Sequence, residues 1–587
     1  MAGDVASINN LLQPEGEAQQ ISQLYTKWRM QKQGKEAEWK ELRNYLFATD
    51  TTTTSNNSSG WKNRTTIPKL TQIRDNLHAH YVDSMFPNDN WLEWFGETEN
   101  DVTKIKADTI KAYMKNKVQQ GGFLESVSDL LYDYIDTGNV FGQIIWVKDS
   151  IIDEDTGEET INFIGPKLVR VSPYDIVFNP AASSFEASPK IVRTLKNIGE
   201  LKKEIRTRPD LQYDEAVLNK ALERRNNALG SFSIEDINKA EGYAFDGFGS
   251  LSEYLQSGLI EILEFKGDLY DQDKDELKEN VIITVIDRQF TLRSIDNPSW
   301  IGRDDMVHVG WRERPDNLWA MGPLDNLVGL QYRLDHLENL KADAFDLSVF
   351  PMTAIKGAVE PFTWQPKGIV HLPEDGDIQL LNLNPQALAT NNEIGGLMGT
   401  MEEMAGSPKN ALGIRTQGEK TAFEVEKLDN AAQRIFLNKT NKFERRFLEK
   451  ALNKMLEISK RNLDTSDLIR VMDDDIGVVE FMDIEKADIT AKGKLVPMGA
   501  RHFASRNQLI QNVMGIFNGP MAQMIAPHVS SIALAKMLEE AMGLEKFQLI
   551  SPNVAVQEQK ATAGAAQQAQ GDLEAEQAVP LEEELLD

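Results

Sequence analysis

From Gly322 to Pro351 the chain reads GPLDNLVGLQYRLDHLENLKADAFDLSVFP. Leu327, Leu330, Leu334, Leu337, Leu340 and Ala344 recur at near-heptad spacing, with Pro323 in the first turn and Pro351 just past the end. This pattern predicts one long helix. About thirty residues of strand and turn character follow, from Thr353 to Asn384, punctuated by Pro361, Pro366, Pro373 and Gly376. A second helix is expected from Pro385 to Met404, then a Gly/Pro loop from Ala405 to Gly418. A still longer helix is expected from Thr421 to Arg461. Thr421 and Glu424 form a capping box, in which each side chain satisfies an orphan N–H of the first turn. The apolar face of that helix carries Phe436, Phe443, Phe447, Ala451, Met455 and Ile458. Any fold for the chain has to accommodate this succession.

The flanking sequence supplies both periods. Ile21, Leu24, Tyr25, Trp28, Trp39, Leu42, Tyr45 and Leu46 repeat at helical spacing and end in a polar loop, Thr49–Gly60, that has nothing to bury. Further helices are expected over 70–85, 101–119 and 124–135. The period then changes: 140–147 is rich in β-branched and aromatic residues and predicts a strand. Strands are also expected at 161–164, 167–171, 176–178, 259–265, 281–288 and 306–311, with a helical insertion at 198–229. After the long helix come strand-like stretches at 468–472, 478–482 and 489–495, and a helical region over 499–547. The expected fold class is α+β and multi-domain. At ~150 residues per domain, the 587 residues allow about four domains.

Composition excludes several functions. The formal net charge is −28, which argues against a protein that coats DNA, since that role needs an excess of phosphate-neutralising cations. There are no cysteines. That removes a disulfide scaffold, Cys-ligated metal sites and a cysteine nucleophile, and fits maturation in a reducing cytoplasm. No apolar run approaches the ~18 residues that span a bilayer, and Met1–Gln20 has no pattern of a secretion signal. From Asn553 the chain carries eight acids and one lysine, too little apolar area to offset chain entropy, so disorder is expected there.

Motifs for chemistry are weak. Gly413–Thr421 approaches a phosphate loop, but Glu419 stands between Gly418 and Lys420, placing a carboxylate where an anion should bind. A loop leading into a capped helix is the simpler account. His78 and His80, two apart on a helix, face apart by about 200° and share no metal. Asp271, Asp273 and Asp275 open like a calcium loop, but Glu276 replaces the required glycine and Ile282 the bidentate acid. Asp473–Asp475 reads as a turn. Trp91, Trp94 and Phe95 can stack on bases, although core or subunit packing is the commoner use of such a cluster. Lys420–Arg461 holds eleven basic and six acidic residues. The ordinary account is a solvated helix face with i,i+4 pairs such as Arg445–Glu449 and Glu457–Arg461. Lys409, Arg415 and Lys420, on or beside a loop between helices, are candidates for mobile contacts to a polyanion.

Four local patterns resemble one family in order along the chain. They are Ser84-Met-Phe-Pro87 followed by Trp91 and Phe95; Asp133 to Trp146 around Gly138; Trp319-Ala-Met-Gly322-Pro323 entering the leucine helix; and Arg415-Thr-Gln-Gly418-Glu419-Lys420-Thr421-Ala422 with Glu424. Together with the helix order they resemble the portal protein, or head-to-tail connector, of short-tailed bacteriophages, over about residues 20–550. The last pattern departs from the family form: Gln417 precedes the glycine and one residue fewer precedes Thr421. The resemblance implies a non-enzymatic dodecameric ring at one capsid vertex, needing no cofactor or metal. By order, residues 1–20 would be a flexible arm and 21–320 the wing. The stem helices would be 321–347 and 385–404, on either side of a clip at 348–384. A tunnel loop would occupy 405–419, the long helix and rest of the wing 420–497, a crown 498–550 and an acidic tail 551–587. It places Phe362 and Trp364 in the clip and Lys409, Arg415 and Lys420 at or beside the tunnel loop. The partners it implies are double-stranded DNA, terminase large subunit, capsid and scaffolding proteins, and tail adaptor or nozzle proteins, with no membrane. The chain would be made in the host cytoplasm and reside in the virion.

An acidic total suits a conduit: a uniformly basic wall would hold DNA through counterion release, whereas a few cations repeated around a ring allow contact at rings only. Two competing classes are another virion structural protein, such as a scaffold or internal ejection protein, and a packaging ATPase. The clip-like insert between long helices argues against the first and Glu419 against the second.

Overall fold

The computed structural model describes residues 5–8, 16–86, 91–96, 101–152, 159–208, 211–228, 258–271, 275–299, 305–349, 352–356, 377–381, 390–405, 435–463, 467–472, 479–490 and 492–498. The architecture is a mixture of helices and mainly antiparallel sheets, α+β as the alternating periods predict. Two compact units are formed. The first takes in most of the chain up to 466 together with 485–497; the second includes Phe86, Trp91, 467–484 and Met498.

Strand β1 (Val5–Ile8) precedes helix α1 (Glu17–Leu46). The N-terminal stretch is therefore not all free arm: β1 lies parallel to Asp268–Asp271, and Ala18 and Gln20 are already buried. Helices α2 (Lys69–Met85), α3 (Asp101–Gln120) and α4 (Phe123–Asp136) fall where the apolar spacing places them. Strands β2 (Leu92–Gly96), β3 (Asn139–Ile152), β4 (Glu159–Val171), β5 (Ile176–Phe178) and β6 (Lys190–Asn197) follow. The two strands expected at 161–164 and 167–171 are one. Pro166 interrupts nothing because β4 is an edge strand, where a missing N–H breaks no ladder. The insertion forms α5 (Ile198–Thr207) and α6 (Glu215–Ala228). Then come β7 (Leu259–Asp271), β8 (Glu276–Ile286), β9 (Phe290–Asp296), β10 (Met306–Gly310), β11 (Arg312–Arg314) and β12 (Asn317–Met321). Of the acidic positions compared with a calcium loop, Asp271 ends β7 opposite Glu276 of β8, while Asp273 lies outside the described residues.

Two sheets build the body. One has the order β5-β6-β7-β8-β9, with β1 added on β7; the other has the order β10-β3-β4. Helix α1 buries Ile21, Leu24, Tyr25 and Trp28 against Ile191, Leu263, Phe265, Ile283 and Val285 of the first sheet. A second core gathers Trp39 with Phe141, Phe178, Phe185, Met306 and Trp319. Helices α5 and α6 supply Leu201 and Leu218 to a third, with Ile260, Ile286 and Leu292. At ~25 cal/mol per Å² of apolar area, such clusters dominate the favourable side of folding.

The leucine helix begins with a 3-10 turn at Asp325–Leu327 and continues as α7 (Val328–Val349). Gly322 N–H donates to Asp325 Oδ2 at 3.0 Å and fixes its entry. Strands β13 (Met352–Lys356) and β14 (Asp377–Leu381) pair antiparallel. Helix α8 (Asn391–Ala405) follows and packs on α7 and α2. Of the helix expected from Thr421, residues 435–462 are described, as α9, with a π turn at Glu444–Leu448; the capping box of Thr421 and Glu424 lies outside the described residues. Phe443, Phe447, Ala451 and Met455 are buried as the apolar stripe predicts. Strands β15 (Asp467–Met472) and β16 (Val479–Ile484) pair antiparallel in the second unit. A short helix α10 (Lys486–Ile489) and strand β17 (Gly493–Pro497) close the described chain. The strand expected from residue 489 thus begins at 493. Strand β17 pairs with β2, Leu495 opposite Trp94, joining segments about four hundred residues apart in sequence.

Candidate functional site

Lys409, Arg415 and Lys420, and Phe362 and Trp364, lie outside the described residues, as do the crown and the acidic tail. The described elements that flank them in sequence are α7, β13–β14, α8 and α9.

Helix α7 is gripped by a polar ladder. Asp343 accepts from Lys62 N–H at 3.0 Å and Asn63 N–H at 2.9 Å. Asn339 accepts from Thr65 N–H at 2.8 Å and donates to Thr65 C=O at 2.7 Å. Asp335 accepts from Ile67 N–H at 3.1 Å. Gln331 donates to Ile67 C=O at 2.6 Å and accepts from Leu70 N–H at 3.3 Å. Four helical residues rise about 6.0 Å and two extended residues about 6.6 Å, so Asp343, Asn339 and Asp335 meet Asn63, Thr65 and Ile67 in step, and Gln331 ends the ladder on Ile67 and Leu70. The same strap buries Thr51, Thr54 and Asn56, and Tyr45 Oη and Ser55 Oγ share a hydrogen bond at 2.6 Å. The expectation of a loop with nothing to bury is thereby corrected. Thr54 Oγ1 donates locally to Thr51 C=O at 3.2 Å, and the Asn56 amide reaches Tyr332 C=O of α7 at 3.5 Å.

Beside this ladder Lys69 of α2 and Glu402 of α8 form an ion pair, with both side chains under a tenth exposed. Lys69 also donates to Gln72 Oε1 at 2.9 Å.

Helix α9 shows where its excess of cations goes. Lys439 donates to Trp311 C=O at 2.5 Å, Lys442 to Gly310 C=O at 2.7 Å and Lys454 to Met306 C=O at 2.8 Å. Strand β10 is the outer strand of its sheet, so α9 closes an open edge with lysine side chains. Glu313 binds Lys442 at 3.0 Å and Arg446 at 2.7 Å, and Lys450 pairs with Glu186. Arg461 reaches Pro298 C=O at 2.7 Å and Glu457 at 3.3 Å. The Glu457–Arg461 pair is as expected. Glu449 instead meets Lys494 at 2.9 Å; the π turn from 444 to 448 alters the i,i+4 geometry that would bring Arg445 to it. Lys439, Lys442, Lys454 and Arg461 thus tie α9 to the fold, while Arg445, Arg446 and Lys450 stay on the exposed side of the helix.

Buried charge in the body is also structural. Arg193 and Arg288 converge on Glu261 at 2.8 and 2.9 Å. Burial alone would raise the Glu261 carboxyl, but the Arg288 and Arg193 guanidiniums hold it down at about 2. Lys32 donates to Tyr174 C=O at 2.8 Å and pairs with Glu36 at 2.9 Å; burial lowers it to about 8, against the pull of Glu36. Burial raises Asp335 to about 6, opposed by hydrogen bonds from Ile67, Thr66 and Gln331.

The described histidines lie against aromatic rings. His78 stacks on Tyr132 at 3.8 Å and lies 3.0 Å from Ser128 C=O, while His80 meets Phe436 edge-on. His308 stacks on Phe141, and its burial pushes the imidazole down to about 3. Among the described residues no group of three or more acidic or histidine side chains is placed to hold a metal, and no described helix is long and apolar enough to cross a membrane. Trp91 and Trp94 are buried while Phe95 is half exposed. Trp91 C=O accepts from Met498 N–H within the second unit. In the first unit the Lys460 ammonium lies 5.6 Å from the Trp94 ring.

The ladder and the lysine edge are the features that apolar spacing does not reveal. Their signal is polar: Gln331, Asp335, Asn339 and Asp343 every fourth residue, and Lys442, Arg446, Lys450 and Lys454 likewise. A comparison with known protein families finds no family that matches the chain, and a comparison with curated proteins finds no match.

Proposed function

We propose that this chain is a portal protein: a dodecameric ring at one capsid vertex through which double-stranded DNA is packaged and later ejected. It docks the large terminase subunit during packaging and tail adaptor proteins afterwards, and it catalyses no reaction of its own. The observation that carries the reading is the order of elements. A body formed by the first three hundred residues is followed by α7, the β13–β14 pair and α8; then α9 and β17 return to the body, β17 on β2. This succession supports wing, stem, clip, stem and wing in the order the sequence resemblance implies.

Two further observations support it. Phe345, Val349 and Ile355, at the end of α7 and in β13, are more than half exposed in the single chain, a placement suited to contact with a neighbouring copy. Lys439, Lys442 and Lys454 of α9 are engaged within the fold, and Lys409, Arg415 and Lys420, which the resemblance puts at or beside the tunnel loop, are the candidates for contact with DNA in an otherwise acidic protein of net charge −28. Mass measurement of the purified protein tests the assembly. A particle near twelve times 66.1 kDa is expected; a stable monomer at micromolar concentration overturns the reading.

A further inference from the structure

Helix α8 is a weak helix by its own composition. Gly395, Gly396 and Gly399 stand among its fifteen residues. A Cβ built on any of the three would meet nothing within 4 Å outside the helix's own backbone, so no close approach among the described residues calls for glycine there. Each glycine lowers the helical equilibrium roughly fivefold relative to alanine. The residues α8 buries are Ile394, Met401, Glu402 and Ala405, a small set for a helix of this length. One of them is charged.

Glu402 is paired with Lys69, the first residue of α2, where the helix dipole disfavours a cation. A buried ion pair stabilises little more than apolar residues of the same shape, yet loss of one partner leaves an uncompensated charge in a place that excludes water. A partly docked α8 would create that situation at both residues. We propose that α8 is a conditional helix. It is helical only while docked on α2 and α7, and the Lys69–Glu402 pair makes the docking all-or-none. The proposal goes beyond the portal reading and does not depend on it; where that reading holds, α8 is the second stem helix and its docking sets the root of the loop that follows.

Hydrogen–deuterium exchange on the full-length protein tests this, whether or not rings form. Peptides within 391–405 should exchange much faster than those of β3 and β4. The triple variant Gly395→Ala, Gly396→Ala, Gly399→Ala should slow their exchange roughly 100-fold. Lys69→Met or Glu402→Leu alone should speed exchange of 391–405 at least about tenfold while β3 and β4 are unchanged, and the two together should return it close to wild type. The proposal is overturned if 391–405 is as protected as β3 and β4 in the wild type, if the alanines change nothing, or if the double variant is as fast as the faster single one. Should a single charge variant fail to fold, the alanine series, which introduces no clash, decides alone.

Discussion

Asn339 serves the backbone of Thr65 as a neighbouring strand would, accepting from its N–H at 2.8 Å and donating to its C=O at 2.7 Å. The two residues are 274 apart in sequence, and the bond pair is one rung of the ladder that ties α7 to the body. Asn339→Ala removes both bonds and leaves a partly buried N–H and C=O to find other partners. The expected cost is about 1–3 kcal/mol, read as a lower denaturant midpoint at unchanged slope. An unchanged midpoint would mean that the strap contributes nothing to stability.

Glu261 gives the acid side of the stability curve. Its carboxyl is held at about 2 by Arg288 and Arg193 after burial is overcome, below the ordinary value of ~4.3 for an unfolded glutamate. Between these values the unfolded chain binds more protons than the folded one, so stability is present above the unfolded pKa and is lost as pH falls through that window. Glu261→Gln should be less stable at neutral pH and should lose less between pH 5 and 3 than wild type. Asp335 acts in the opposite sense. Its folded value of about 6 lies above the unfolded one, so the folded chain binds the extra proton and this group favours folding more as pH falls from 6 to 4. Asp335→Asn should remove that contribution, seen as a smaller gain, or a larger loss, of melting temperature over the same interval.

The lysines of α9 and the cations of the loop should separate cleanly. Lys442→Ala and Lys454→Ala strip the carbonyls of Gly310 and Met306 of their donors, at a cost of about 1–3 kcal/mol each, with DNA retention per assembled particle unchanged. Lys409→Ala, Arg415→Ala and Lys420→Ala together should leave assembly and melting temperature intact and lower packaging yield. Unchanged packaging in the loop variant would make those residues ordinary surface charges.

Gly138 is fixed by geometry. Its φ is +71°, and a Cβ there would lie 2.3 Å from Gly322 N. Gly138→Ala should therefore cost at least about 1–3 kcal/mol in backbone strain, with further loss from the contact, and should lower soluble yield.

Most of the helical frame was legible because its apolar residues keep one period: Leu70, Ile73, Leu77 and Tyr81 in α2, and Phe443, Phe447, Ala451 and Met455 in α9. Strand β6 was missed because Lys190 and Arg193 interrupt its apolar run, yet both are buried, Lys190 donating to Phe185 C=O and Arg193 to Glu261. Charges that find partners inside the fold look, from sequence, like charges in solvent. The ladder on α7 was hidden for the same reason: Asp335 and Asn339 read as the wet side of a leucine stripe until the segment from Lys62 to Leu70 is laid against them. The basic excess of α9 was legible as composition, but its use on the edge of β10 depends on a pairing that no local pattern encodes.

A ring that passes DNA is visible directly by negative-stain microscopy of the purified protein. Ring-shaped particles of twelvefold symmetry with an open centre are expected. Monomers, closed shells or filaments in place of rings would contradict the portal reading.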